Sequence, residues 1–230
     1  MLQTELGHIG AVMAACERKR PDVAAHCRRV SEYAVRLATQ IGLSVHDVET
    51  IRLGGLLHDV GKLNVPTRIL NKPGRPTARE WRELKIHPEL GVEIAHRAGF
   101  DDEVSSIVLY HHERWDGQGY PDCLSARAIP YLARIVSVID TFDALTSARE
   151  YRERLTPDAA RVVIARGAGT RFCPWVAAAF LAMPVDVLLP PLGQVPAAGH
   201  RAEVRAVLTP ETLTAPWHMR AEAAAAPCPC

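Results

Sequence analysis

From Leu2 to Met183 the apolar residues recur every three to four positions, the spacing of a helix face, and no convincing run alternates as a half-buried strand must. Leu2, Leu6, Ile9 and Met13 mark one amphipathic helix, and Val23, Cys27, Val30, Ala34, Leu37 and Ile41 mark a second. Ser44 with Asp47 starts a third, which carries Val48, Ile51 and Gly54-Gly55-Leu56-Leu57 and is expected to end near Gly61. The Gly-Gly pair implies close helix packing. Residues 64–76, with Pro66, Pro73, Gly74 and Pro76, read as a loop, and Thr77 with Glu80 caps the helix after it. Pro88 biases His87 away from helical backbone and opens a helix through Ile94 that stops at Gly99. Asp101 or Asp102 caps the next, through Val104, Ile107 and Val108, and residues 113–129 form a loop. Pro130 opens a helix striped by Leu132, Ile135, Val136, Ile139, Phe142 and Leu145; Thr156-Pro157 starts another. Trp175 to Met183 is the last, ended by Pro184. The expected fold class is all-α: an N-terminal helix in residues 1–19, a helical domain in 20–183 and a weakly structured Pro/Ala-rich tail in 184–230, whose one strand-like run is 202–208.

The 230 residues suffice for one well-buried domain with appendages. Lys plus Arg number 27 against 26 Asp plus Glu, so the net charge of +1 argues against broad binding to DNA or an anionic membrane. Phosphate binding must be local. No basic leader precedes an apolar run, and no uninterrupted apolar stretch approaches the ~18 residues of a membrane span, so a soluble, cytoplasmic protein is expected. The six cysteines form no C-x-x-C pair and read as free thiols, with Cys228-Pro229-Cys230 a disordered end.

Histidine and aspartate occur where an apolar helix or a tight loop has no need of charge: His26, His58-Asp59, His87, His111-His112 and Asp140. Burying a carboxylate beside an imidazole at the end of an apolar helix is costly unless a cation offsets it. A metal is the economical reading. Adjacent helical residues project about 100° apart, so a neighbouring His and Asp grip one cation from different sides or touch two. Imidazole and carboxylate donors without thiolate favour iron, manganese or zinc, and a pair of such ions suits phosphoester hydrolysis. Any one of these residues alone is more readily a core or surface residue; the whole set is not. His8, His46, His96, His200 and His218 have no such neighbours and read as surface or structural.

The order His26, His58-Asp59-Val60-Gly61-Lys62, His87-Pro88-Glu89-Leu90-Gly91 and His111-His112-Glu113-Arg114-Trp115-Asp116-Gly117-Gln118-Gly119-Tyr120-Pro121 resembles the HD-GYP subfamily of HD-domain phosphohydrolases. The resemblance continues through Ile129-Pro130, Ala133-Arg134-Ile135 and Asp140 to Ser147 and spans residues 20–183. An HD dipeptide alone is weak, whereas the H-H-E-x-x-D-G-x-G-Y-P string following H-D-x-G-K is specific.

The resemblance implies an HD-domain helical bundle with an HD-GYP extension and two or three divalent ions, iron or manganese, hydrolysing cyclic di-GMP to pGpG or GMP. It assigns His26, His58, Asp59, His87, His111, His112 and Asp140 as metal ligands, with Asp59 bridging two ions and a metal-bound hydroxide as nucleophile. Asp59 and Lys62 are the expected catalytic residues. Lys62 also matches the substrate lysine, one helical turn beyond His58 and on its side. Arg149 and Arg152 follow Asp140 where basic residues contact the dinucleotide phosphates, a task suited to an Arg fork. Asp116 is expected on the substrate side, holding the Gly-rich loop by hydrogen bonds.

The chain departs from the pattern at several places. Asp22, one helical turn before His26, is acidic, as in three-metal members, and is a candidate ligand to a third ion as well as a plain helix-start carboxylate. Cys173 replaces a common Asp, Glu150 a common Pro, and Ala126 a usual Gly. A complete ligand set favours an enzyme of bacterial signalling over a module that binds cyclic di-GMP without turnover, or a phosphohydrolase for another nucleotide. With no receiver or sensor ahead of the domain, control is expected through a partner such as a GGDEF-type protein. The stripe of the first helix packs on the domain or pairs two copies as a homodimer, the former preferred.

Overall fold

The structure, a computed structural model, describes residues 2–147 and 154–189, with side chains from residue 7 onward. Its helices are α1 (Leu2–Lys19), α2 (Pro21–Gln40), α3 (Val45–Leu57), α4 (Thr67–Leu70), α5 (Ala78–Lys85), α6 (His87–Arg97), α7 (Asp102–Tyr110), α8 (Tyr131–Thr146), α9 (Pro157–Gly167), α10 (Pro174–Ala182) and α11 (Val185–Leu188). Two 3-10 turns, Val60–Asn64 and Ala126–Ala128, interrupt the connections. Among the described residues β-pairing is confined to two isolated bridges, so the all-α expectation holds there.

Local signals start the helices where the sequence puts them. Ser44 accepts from the Asp47 amide, Asp101 from Val104 and Thr156 from Ala159, and Thr77 with Glu80 closes a full capping box. The Gly54-Gly55 pair does bring helices together. A Cβ on Gly55 would stand 2.7 Å from Ser31 Cα, and one on Gly54 2.6 Å from Ile107 Cδ1, so α3 is wedged between α2 and α7.

Two apolar clusters share α2 and α3. One gathers Val30, Leu37 and Ile51 with Ile135, Ile139 and Phe142 of α8 and Val176 and Phe180 of α10. The other packs Ile9, Met13 and Cys16 of α1 against Val23, Cys27, Leu57, Val104 and Val108. Each side chain fully removed from water there contributes about 1.5–3 kcal/mol. At Ile9 and Met13 the α1 stripe is covered by its own chain, and the side chains of Leu2 and Leu6 lie outside those described.

Several expectations need correction. The third helix ends at Leu57, not near Gly61, because the chain tightens into the 3-10 turn as Gly61 closes on α6. The stretch 64–76 contains α4, where Pro66 precedes the first turn and Ile69 is buried. His87 is helical: Pro88 falls in the first turn, where a missing N–H costs nothing, and only Ile86 separates α5 from α6. Beyond Met183, the short helix α11 lies within the stretch expected as a weakly structured tail and buries Leu188. Cys16, Cys27 and Cys173 are buried free thiols, as expected of them. The strand-like run 202–208 and the terminal cysteines lie outside the described residues.

Candidate metal centre

Five helices deliver the ligand-type side chains to one place. His26 comes from the middle of α2, His58 caps the end of α3 with Asp59 just after it, His87 opens α6, His111 and His112 follow α7, and Asp140 lies on α8. They fall into two groups whose donor atoms lie within 4.8 Å of one another: Asp59, His87, His111 and His112; and His26, His58 and Asp140.

Asp59 stands between the groups. Its Oδ1 is 3.2 Å from His87 Nε2 and 3.8 Å from His111 Nε2, while Oδ2 is 3.5 Å from His26 Nε2 and 3.6 Å from His58 Nε2. Asp140 Oδ1 lies 3.1 Å from His26 Nε2 and 3.9 Å from His58 Nε2. The imidazoles are oriented from behind. His58, His87 and His111 each direct Nδ1 at the carbonyl three residues earlier (Gly55, Leu84 and Val108), all at 2.8 Å. A carbonyl only accepts, so Nδ1 carries the proton and Nε2 presents a lone pair to the centre. His26 Nδ1 instead meets Asp143 Oδ2 at 2.7 Å. His112 is held by rings, 4.0 Å from His111 and stacked on Tyr120 at 4.8 Å.

Asp59 Oδ1, His87 Nε2 and His111 Nε2 are buried with no hydrogen-bond partner. Three orphaned acceptors aimed at one point are expensive unless a cation meets them. Apart from His26, protonation states agree with that fit. Burial, with neighbouring imidazoles adding to it, holds His58 and His111 below the usual histidine range, and burial pushes His112 down to about 3. Burial raises Asp59 and Asp140, but Lys62 with His58 on the former and His26 on the latter outweigh it, so both stay ionised. Burial also opposes charge on His26, yet hydrogen bonds with Asp140 and Asp143 raise it to about 9. Neutral His58, His111 and His112 with ionised Asp59 and Asp140 are the states that metal binding requires, whereas His26 is held protonated between Asp140 and Asp143 and an ion bound there must displace that proton. The donor set, imidazole and carboxylate without thiolate, fits divalent metal ions.

The remaining predicted residues divide. Lys62 Nζ sits 2.5 Å from Asp59 Oδ2. It reaches the site from the 3-10 turn, because α3 has already ended, so the expected helical register with His58 does not apply. Asp116 accepts both guanidinium bonds of Arg114, at 2.9 and 2.6 Å, and the Gln118 amide at 3.1 Å, holding its loop as expected. Asp22 is not brought to the centre. Its carboxylate is 63% exposed and held by Arg20 at 2.5 Å, a charge-assisted pair that draws it from the His26 side. Arg149 and Arg152 lie outside the described residues.

Sequence reading missed the partners of His26. Asp143 is 1% exposed and takes two bonds from Arg29, Nε to Oδ1 at 2.6 Å and Nη2 to Oδ2 at 3.0 Å. Its i,i+3 relation to Asp140 on α8 was the available signal. Glu113, also buried, accepts the Asp122 amide at 2.8 Å and ties the signature loop to the His111-His112 segment. Ala126 takes a φ of 49°, a left-handed backbone that accounts for the glycine expected there.

Residues 11–176 match the family model for the HD domain. The chain is 43% identical over 162 residues to the cyclic di-GMP phosphodiesterase response regulator RpfG of Xanthomonas campestris pv. campestris, covering 70% of this chain and 43% of that protein. To a cyclic di-GMP phosphodiesterase of Thermotoga maritima it is 38% identical over 164 residues, covering 70% and 45%. To the 3'3'-cGAMP-specific phosphodiesterase 2 of Vibrio cholerae it is 38% identical over 162 residues, covering 70% and 31%. The chain thus spans less than half the length of these relatives. Two solved structures share its fold at TM-score 0.56: the cyclic GMP-AMP specific phosphodiesterase V-cGAP3 of V. cholerae, at 19% identity over 76% of this chain and 47% of that one, and Bd1817 of Bdellovibrio bacteriovorus, at 22% over 69% and 51%. No helix among the described residues is long and apolar enough to cross a membrane. With the motif string, the helical frame and the matched model in agreement, the chain belongs to the HD domain family, in its HD-GYP branch.

Proposed function

We propose that the chain is the catalytic part of a metal-dependent phosphodiesterase that hydrolyses cyclic di-GMP to pGpG or GMP. One observation carries the reading: imidazole Nε2 atoms converge on both oxygens of Asp59, with His87 Nε2, His111 Nε2 and Asp59 Oδ1 buried and unpartnered. Two divalent ions, iron or manganese, fit the two groups, with Asp59 facing both. Bound there, they supply Lewis acidity at the phosphoryl oxygens and an activated water.

The protein's own contribution is orientation and charge. Three backbone carbonyls and Asp143 fix the imidazoles before substrate arrives, so little reorganisation remains for the reaction itself. Lys62 places an ammonium beside Asp59, and its further N–H groups are free to meet a phosphate oxygen. Arg149 and Arg152 serve the second phosphate of the dinucleotide. Asp116 and Glu113 keep the loop at 113–122 in shape beside the centre. Arg20 holds Asp22, so the reading is of two ions rather than three.

The substrate class rests on the 43% and 38% identities to cyclic di-GMP phosphodiesterases. A second substrate, 3'3'-cGAMP, is favoured by the 38% identity to the V. cholerae enzyme specific for it. The test incubates the manganese- or iron-loaded protein with each dinucleotide and separates the products. Cyclic di-GMP should give pGpG or GMP, and Asp59→Ala should abolish hydrolysis and lower bound metal. Full activity in Asp59→Ala would sink the reading.

A further inference from the structure

Helix α5 buries none of its residues, yet it lies beside the metal centre. The Leu84 carbonyl on this helix accepts the hydrogen bond of His87 Nδ1–H, and Trp81 and Lys85, one turn apart on one face, both approach Tyr120. The Trp81 ring meets Tyr120 edge-on at 6.5 Å and 73°, while Lys85 Nζ is 5.3 Å from the Tyr120 centroid. Tyr120 in turn stacks on His112 at 4.8 Å and 29°. A line of rings therefore runs from a candidate ligand to an indole that remains 44% exposed.

Packing accounts for only part of that arrangement. A tryptophan with 44% of its surface in water leaves much of its ring free to take another partner, and among the described residues Lys85 has neither a hydrogen bond nor an ion pair, its charge meeting only the Tyr120 ring. A half-open indole and an ammonium without a hydrogen-bond acceptor at the rim of a phosphoester site have a clear chemical complement. A purine stacks on the indole, and a lysine donates to the two acceptors on the edge of guanine, O6 and N7, whereas adenine presents an amino donor at the corresponding place.

We propose that Trp81 stacks one purine of the substrate and that Lys85 reads its edge as guanine, a subsite for the base next to the scissile phosphate. This rests on the cyclic dinucleotide reading above and adds to it the residues that choose the base. Tyr120 is the wall between ligand and base.

The test uses GMP and AMP, which carry base and phosphate but no diester to cleave, so its outcome is independent of whether cyclic di-GMP is hydrolysed. Their dissociation constants are measured by calorimetry on the manganese-loaded wild type and on Trp81→Ala, Trp81→Phe and Lys85→Met, with the metal-to-protein ratio of each. Trp81→Ala should weaken both nucleotides about tenfold, with Trp81→Phe recovering most of the loss. Lys85→Met should leave AMP unchanged and bring GMP down to the AMP level, and metal content should not change in any variant. The inference is overturned by wild-type affinity for both nucleotides in Trp81→Ala, by a GMP preference that survives Lys85→Met, or by a wild type that binds GMP no more tightly than AMP.

Discussion

The Asp143 carboxylate joins Arg29 to His26 and does for that imidazole what backbone carbonyls do for three others. A carboxylate behind a ligand imidazole fixes its tautomer and raises its basicity, and removing such a partner typically costs 10–100-fold in metal affinity. Asp143→Asn keeps the shape and loses the charge. We expect it to weaken the ion held by His26, His58 and Asp140 by about that factor, measured by competition with a chelator; unchanged affinity would reduce Asp143 to a packing residue. The sequence showed Asp143 only as part of a motif string, because its partner Arg29 lies 114 positions away. Asp22 is the opposite case. Its i,i+4 spacing to His26 was plain, but Arg20, two residues earlier, captures the carboxylate first. Spacing tells which residues can meet, and the competition among charges decides which do.

At the scale of elements, helices were legible because their caps and breakers are local. Ser44, Thr77, Asp101 and Thr156 each bond an amide three residues on. The turn at Val60–Asn64 was not legible, since a tertiary contact decides it. A Cβ on Gly61 would fall 1.9 Å from His87 O and 2.6 Å from Gly91 N, backbone against backbone. Only a glycine lets this turn touch the start of α6, and that contact sets His87 beside Asp59. Gly61→Ala must push the two segments apart. Overpacking of this kind costs roughly 1–3 kcal/mol or more, and each kcal/mol moves the melting temperature of a chain this size by about 2–4 °C. Thermal denaturation should show a fall of at least several degrees, with weaker metal binding on the His87 side. A variant that melts and binds metal like the wild type would contradict the packing.

For the molecule as a whole, the metal centre sits where the two apolar clusters meet, since α2 and α3 contribute to both. Buried, largely neutral imidazoles and ionised carboxylates occupy a position that hydrophobic packing would otherwise fill. The all-α architecture and the seven ligand-type residues were readable in advance: the former from apolar period, the latter from His and Asp placed where a core has no use for them. Their division into two groups was not, because it depends on how α6 and α7 close over Asp59. The most direct test is a calorimetric titration of manganese into metal-stripped wild-type protein, read as ions bound per chain. Two sites per chain are predicted, matching the two groups that Asp59 faces, and a single site, or none, would contradict it.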